Sequence, residues 1–169
     1  SVGWVPHRPA VYGRLTTREN LVLFADLEGA DNPAARADDL IERADLGAYA
    51  DRRAARLSTG TLQRRNLSVA LAGRPDALLL DEPTATLSAD QRIRLWDWLA
   101  GLQRELDVAL LFATQSVDEA RRHAGSLMVL VGGRAVFSGA PAELAPGAER
   151  DAETAERAFL DLVDAGAPT

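Results

Sequence analysis

Ala77-Leu78-Leu79-Leu80-Asp81-Glu82-Pro83-Thr84 reads as the end of a buried strand. Its apolar residues run without alternation into two adjacent acids and a proline, the pattern of a strand buried on both faces of a parallel sheet and stopped at its carboxyl end. A second run of the same kind, Val108 to Ala113, lies one helical segment further on. Between the two, Ser88 and Gln91 form a capping box, and Ile93, Trp96, Leu99 and Leu102 recur at helical spacing. Strand, helix and strand in this order predict an open α/β sheet.

Upstream, Ser1-Val2-Gly3-Trp4-Val5-Pro6 reads as a short alternating strand stopped by Pro6, with a loop through Val11-Tyr12-Gly13 behind it. Thr16 and Glu19 form another capping box, and Leu21, Phe24 and Ala25 give a helical stripe up to Gly29. Asn32-Pro33 opens a second helix with Ala37, Leu40, Ile41 and Ala44 on one face. Ser58 caps a third, which Gly73 and Arg74-Pro75 bring to an end. Downstream, Ser116 with Glu119 caps a helix that stops at Gly125. Leu127 to Val131, Gly132-Gly133 and Arg134 to Phe137 predict a hairpin at the edge of the sheet, and Ala155, Phe159, Leu160 and Val163 a last helix.

Composition narrows the function classes. The 169 residues suit one domain with a real core, and 47% hydrophobic with 26% charged residues is ordinary globular composition. A net charge of -6 and a pI of 4.9 offer no positive field for a phosphate backbone, so nucleic acid is not an expected partner. Cys is absent, which excludes disulfides and thiolate chemistry and suits a reducing compartment. No run approaches the roughly 20 apolar residues that span a bilayer, so membrane association is expected only through a partner. Every Lys/Arg position is Arg.

Ligands of open α/β sheets bind beyond the carboxyl ends of the strands, and those ends carry His7, Asp81-Glu82 and Gln115. Adjacent acids there suit Mg²⁺ and nucleotide chemistry, one carboxylate holding the metal shell while its neighbour orients a water. A polar strand end that merely begins a turn is the plainer alternative. Arg52, Arg53 and Arg56, and Arg64 with Arg65, read as solvated faces, with contact to a partner protein as the alternative.

The order of motifs resembles the ATP-binding subunits of ABC transporters. Leu57-Ser58-Thr59-Gly60-Thr61 looks like the LSGGQ signature, with residues 57–75 matching its continuation without a gap. Asp81-Glu82-Pro83-Thr84 looks like Walker B, residues 85–88 the D-loop, Thr114-Gln115-Ser116 the H-loop, and Trp4-Val5-Pro6-His7 the Q-loop. Gly132-Gly133-Arg134 and Pro141-Ala142-Glu143-Leu144 resemble the closing hairpin and the helix after it.

The resemblance implies a partial P-loop NTPase (RecA-like/ABC) parallel sheet with an inserted helical subdomain and a C-terminal β-hairpin plus helix. Its parts are expected at residues 1–13 (sheet strand and Q-loop), 14–72 (helical signature subdomain), 73–144 (α/β core half) and 145–169 (C-terminal helix). It also implies that two such subunits sandwich ATP with Mg²⁺, each offering its signature helix to the nucleotide held by the other. Glu82 would be the base, Asp81 and His7 the metal-shell residues, Gln115 the H-loop residue, and Ser58, Thr59, Gly60, Thr61 and His7 the nucleotide contacts. A permease and a second ATP-binding subunit, identical or not, are the implied partners, which places the protein in the cytoplasm, peripheral to the cell membrane.

The departures from the family pattern fall at these positions. Thr59 adds a Cβ where a glycine is usual, and Thr61 is shorter than glutamine. His7 replaces a glutamine, Gln115 a histidine and Ser88 an aspartate. A phosphate-cradling G-x-x-x-x-G-K-[ST] stretch occurs nowhere in the chain, so on its own it is expected to be inactive, and to be a fragment or a naturally truncated form. Two readings stay open: an energy-coupling ATPase subunit, of export type if Ala158-Phe159-Leu160-Asp161-Leu162 marks an exporter tail, and a non-catalytic pseudo-subunit that lends its signature face to a partner or serves as a dimer scaffold. An ABC ATPase of translation or DNA repair fits the acidic charge poorly.

Overall fold

The computed structural model describes residues 1–8, 11–53, 57–144 and 152–166. Two compact units divide the chain, Ser1–Ala113 and Thr114–Thr169.

The first unit contains β1 (Val2–Val5), α1 (Thr17–Leu27), α2 (Pro33–Arg43), a 3₁₀ turn (Gly47–Tyr49), α3 (Thr59–Ala70), β2 (Ala77–Asp81), α4 (Ala89–Leu106) and β3 (Ala109–Ala113). The strands lie in the order β1-β2-β3 and are parallel, with Val5 beside Leu80 and Asp81 beside Ala113. The helix starts follow the sequence signals. Thr16 N–H donates to Glu19 Oε2 at 2.7 Å while Glu19 N–H donates to Thr16 Oγ1 at 3.1 Å, closing the α1 box. Asn32 Oδ1 accepts from Ala35 N–H at 3.0 Å and starts α2.

Both crossovers step the same way across the sheet, and right-handed crossovers taken in one direction place their helices on one face. That face is closed: Val5, Leu78 and Leu80 pack with Leu67 and Leu71 of α3 and Leu95 and Leu99 of α4. Trp96 meets Phe112 edge to face, with ring centroids 4.8 Å apart. The expectation that β2 and β3 are buried on both faces fails. Leu78 is 0% exposed, but its neighbour Leu79 is 37% exposed and Leu111 66%. The apolar run is continuous; the cover from this chain is one-sided.

The reading of Arg64 and Arg65 as a solvated pair also fails in its second member. Arg64 is partly exposed, 3.7 Å from Asp45, whereas Arg65 is 0% exposed and its Nε, Nη1 and Nη2 have no hydrogen-bond partner among the described residues. Helical spacing puts adjacent residues about 100° apart, so two neighbours cannot share one face. Arg52 and Arg53 are exposed as expected, and Arg56 lies outside the described residues.

The second unit holds α5 (Val117–His123), β4 (Leu127–Val131), β5 (Arg134–Gly139), α6 (Pro141–Leu144) and α7 (Ala152–Gly166). Gly132 and Gly133 both adopt positive φ, 55° and 80°, which a two-residue hairpin turn requires. β4 and β5 pair antiparallel as the predicted hairpin, with Leu127 beside Gly139 and Val131 beside Arg134. No described helix is long and apolar enough to cross a membrane.

Candidate functional site

Asp81 ends β2 with its side chain exposed, and Glu82, half-buried, follows it. Glu82 N–H donates to Ala113 O at 2.9 Å, which ties the acid pair to the last residue of β3. Its φ of 48° lies in the left-handed region, a conformation that costs an L-residue about 1–2 kcal/mol and turns the chain sharply out of the sheet. Ala85 N–H then returns to Glu82 O (3.3 Å) and Leu87 N–H to Thr84 O (3.0 Å), with Pro83, Thr84 and Leu87 buried. Ser88 opens α4: its N–H donates to Gln91 Oε1 at 3.2 Å and its Oγ to Asp90 Oδ1 at 2.5 Å. That hydroxyl holds the Asp90 carboxyl below its usual range, helped by Arg94.

The amino end of α3 is the second element. Ser58, extended at φ -66° and ψ 159°, accepts from Thr61 N–H at 3.3 Å, and its Oγ lies 2.8 Å from Thr61 Oγ1. The first turn carries no acid, so the positive end of the helix dipole is uncompensated. Ser58 and Thr59 are exposed, and Gly60 and Thr61 half-buried. Thr61 therefore engages the Ser58 hydroxyl, a contact the sequence reading did not anticipate.

Val5 is level with Leu80, so His7, exposed and two residues beyond β1, leaves the sheet from the same end as Asp81. The loop behind it is anchored by Asn20, fully buried, whose Oδ1 accepts from Tyr12 N–H (2.8 Å) and whose Nδ2 donates to the Tyr12 (3.1 Å) and Thr16 (2.8 Å) carbonyls. An asparagine inside a helical stripe is the one signal that hints at this anchor. Gln115 is exposed and belongs to the second unit.

The first unit thus places His7, Asp81 and Glu82 at the same end of the sheet, and Ser58 to Thr61 at the amino end of α3. Among the described residues no cluster of three or more His, Cys, Asp or Glu could cage a metal. A single exposed aspartate suits Mg²⁺, which keeps waters and substrate phosphates as its other oxygen ligands; an imidazole such as His7 does not.

A cleft of 740 Å³ in the first unit lies elsewhere, at the carboxyl end of α3, lined in part by Asn32, Arg36, Asp39, Ala72 and Arg74. Its inner cations are committed. Arg36 donates to the Leu71 and Ala72 carbonyls (2.6 and 3.2 Å) and to Asp39 (2.6 Å), while Arg43 reaches Asp39 (2.7 Å) and Glu105 (3.0 Å).

Comparison with known proteins agrees with this architecture. The family model described as ABC transporter matches residues 1–85. The sulfate/thiosulfate import ATP-binding protein CysA of Synechococcus elongatus is 35% identical over 145 residues, 85% of this chain and 42% of that protein. A Nod factor export ATP-binding protein I of Burkholderia pseudomallei is 38% identical over 142 residues, 83% of this chain and 46% of that protein. The chain therefore spans under half the length of these relatives. Among solved structures, cbiO1 of Clostridium perfringens, part of the ABC transporter complex cbiONQ, shares the fold with a TM-score of 0.79 at 23% identity, covering 88% of this chain and 61% of that one.

Proposed function

We propose, since this chain belongs to the ABC transporter family, that it is part of an ATP-binding subunit in which nucleotide held between two such subunits drives a permease. The observation that carries the reading is the acid pair at the carboxyl end of β2, with the Glu82 backbone pinned to Ala113 and the Ser58-capped start of α3 in the same unit. Asp81 would hold Mg²⁺, which neutralises phosphate charge. Glu82 would accept a proton from the attacking water. The uncompensated amino end of α3 offers N–H groups and a positive dipole to the γ-phosphate of the nucleotide held by the other subunit. His7 would orient water through a ring nitrogen, and Gln115 would hydrogen-bond a phosphate through its carboxamide.

The second ATP-binding subunit, the permease and a peripheral place at the cytoplasmic face of the membrane belong to the same proposal. Export is its finer form and rests on the Ala158 to Leu162 segment. Glu82→Gln in the assembled transporter should reduce ATP turnover by about 10²-fold or more with nucleotide affinity retained. Unchanged turnover removes Glu82 as the base.

A second reading, a non-catalytic subunit, is favoured by the Ser58–Thr61 contact, which diverts the hydroxyl expected at the phosphate. ATP-dependent dimerisation without hydrolysis supports it, and hydrolysis by a dimer of this subunit alone rejects it.

A further inference from the structure

Gln91 occupies the space beside Gly60. A Cβ placed on Gly60 would lie 3.1 Å from both Cδ and Nε2 of Gln91 and 3.4 Å from its Cγ, so the carboxamide rests on the bare backbone of the first turn of α3. The same carboxamide is tied at its other side, because Gln91 Oε1 accepts the Ser88 N–H. One side chain is therefore held between the starts of two helices. From Ser88 the contacts run back without a gap through the Thr84–Leu87 and Glu82–Ala85 turns to Glu82. A side chain at Gly60 would have to displace the carboxamide, so α3 approaches α4 here through a glycine.

We propose that Gln91 is a positioning residue that couples the Ser58 end of α3 to the Asp81–Glu82 segment of the same chain. The inference rests on the reading under Proposed function. There the two ends serve different nucleotides, the acids one held by their own subunit and α3 one held by the other. The Gly60–Gln91 contact then links the two nucleotide sites of a dimer through a single chain. Simple helix packing makes a different prediction, since any side chain of equal volume would serve it. Coupling needs the tie to Ser88 as well. Gln91→Leu keeps the volume and loses the acceptor, whereas Gln91→Glu keeps both, glutamate being a natural partner in this cap.

Two measurements test it. In the full-length dimer, titration with a fluorescent trinitrophenyl-ATP should give a Hill coefficient between about 1.3 and 2 for wild type, about 1 for Gln91→Leu, and the wild-type value for Gln91→Glu. A wild-type coefficient of 1, or one that Gln91→Leu leaves in place, overturns the coupling; absence of any binding by wild type overturns the parent reading with it. Independently of nucleotide, Gly60→Ala should lower the melting temperature by about 2–4 °C in the wild-type background, where the new methyl meets Gln91. In a Gln91→Ala background it should raise it by about 2 °C, as alanine does in an unobstructed helix. The same sign in both backgrounds rejects the contact itself.

Discussion

On one face of the three-stranded sheet Val5, Leu78 and Leu80 are sealed under α3 and α4; on the other, Trp4, Leu79 and Leu111 meet solvent. The residue types are the same, and only the cover differs. An apolar run without alternation says that a strand can be buried on both sides, but not which side its own chain will cover. That choice follows from the direction in which successive crossovers step across the sheet.

The sharpest way to break this comparison is to truncate one leucine on each face. Leu78→Ala should cost about 2–5 kcal/mol, since a buried leucine leaves a cavity. Leu111→Ala should stay within about 0.5 kcal/mol, as for other exposed positions. Urea unfolding of the two variants measures both, and equal losses would mean that the open face is covered in solution.

The buried side of the first unit also carries a cost that the exposed side does not. Arg65 is a guanidinium without exposure and, among the described residues, without an acceptor, and burial lowers its proton affinity. Arg65→Met, with similar volume and no charge, should raise stability by about 1–3 kcal/mol. A fall of that size would show that the guanidinium has an acceptor after all.

The smallest effect concerns an exposed cap. Glu19 is held below the usual carboxylate range by the Thr16 N–H it accepts, and then by the Thr16 side chain. Because its folded value is the lower one, its contribution is fully present above the unfolded value of about 4.3 and is lost as the pH falls through the folded value. The melting temperature of Glu19→Gln should therefore lie slightly below that of wild type at neutral pH and converge with it in acid. A constant gap between pH 7 and pH 3 would assign the effect to something other than this carboxylate.

Much of the site was legible in one dimension because caps and strand ends are local. Ser58, Thr16 with Glu19, Asn32-Pro33 and Ser88 with Gln91 each announce a helix start within four residues, and Asp81-Glu82 marks the end of its own strand. The contacts that join those pieces were not legible. Gly60 is expected from the resemblance as a nucleotide contact, and within the chain it also makes room for Gln91. Gly3 attracted no reading, yet a Cβ there would lie 2.4 Å from the Ala70 carbonyl, so β1 can meet α3 only through a glycine. Arg65 was paired with Arg64 by adjacency, and the helical turn sent the two in different directions.

The sequence by itself determined the order of strands and long helices, where α1 to α5 begin, and the acid pair that ends β2, because these depend on a residue and its near neighbours. Only the tertiary structure decided which sheet face is closed and that the start of α3 leans on the cap of α4. Those outcomes depend on crossover handedness and on close approach between segments far apart in the chain, and neither leaves a local pattern.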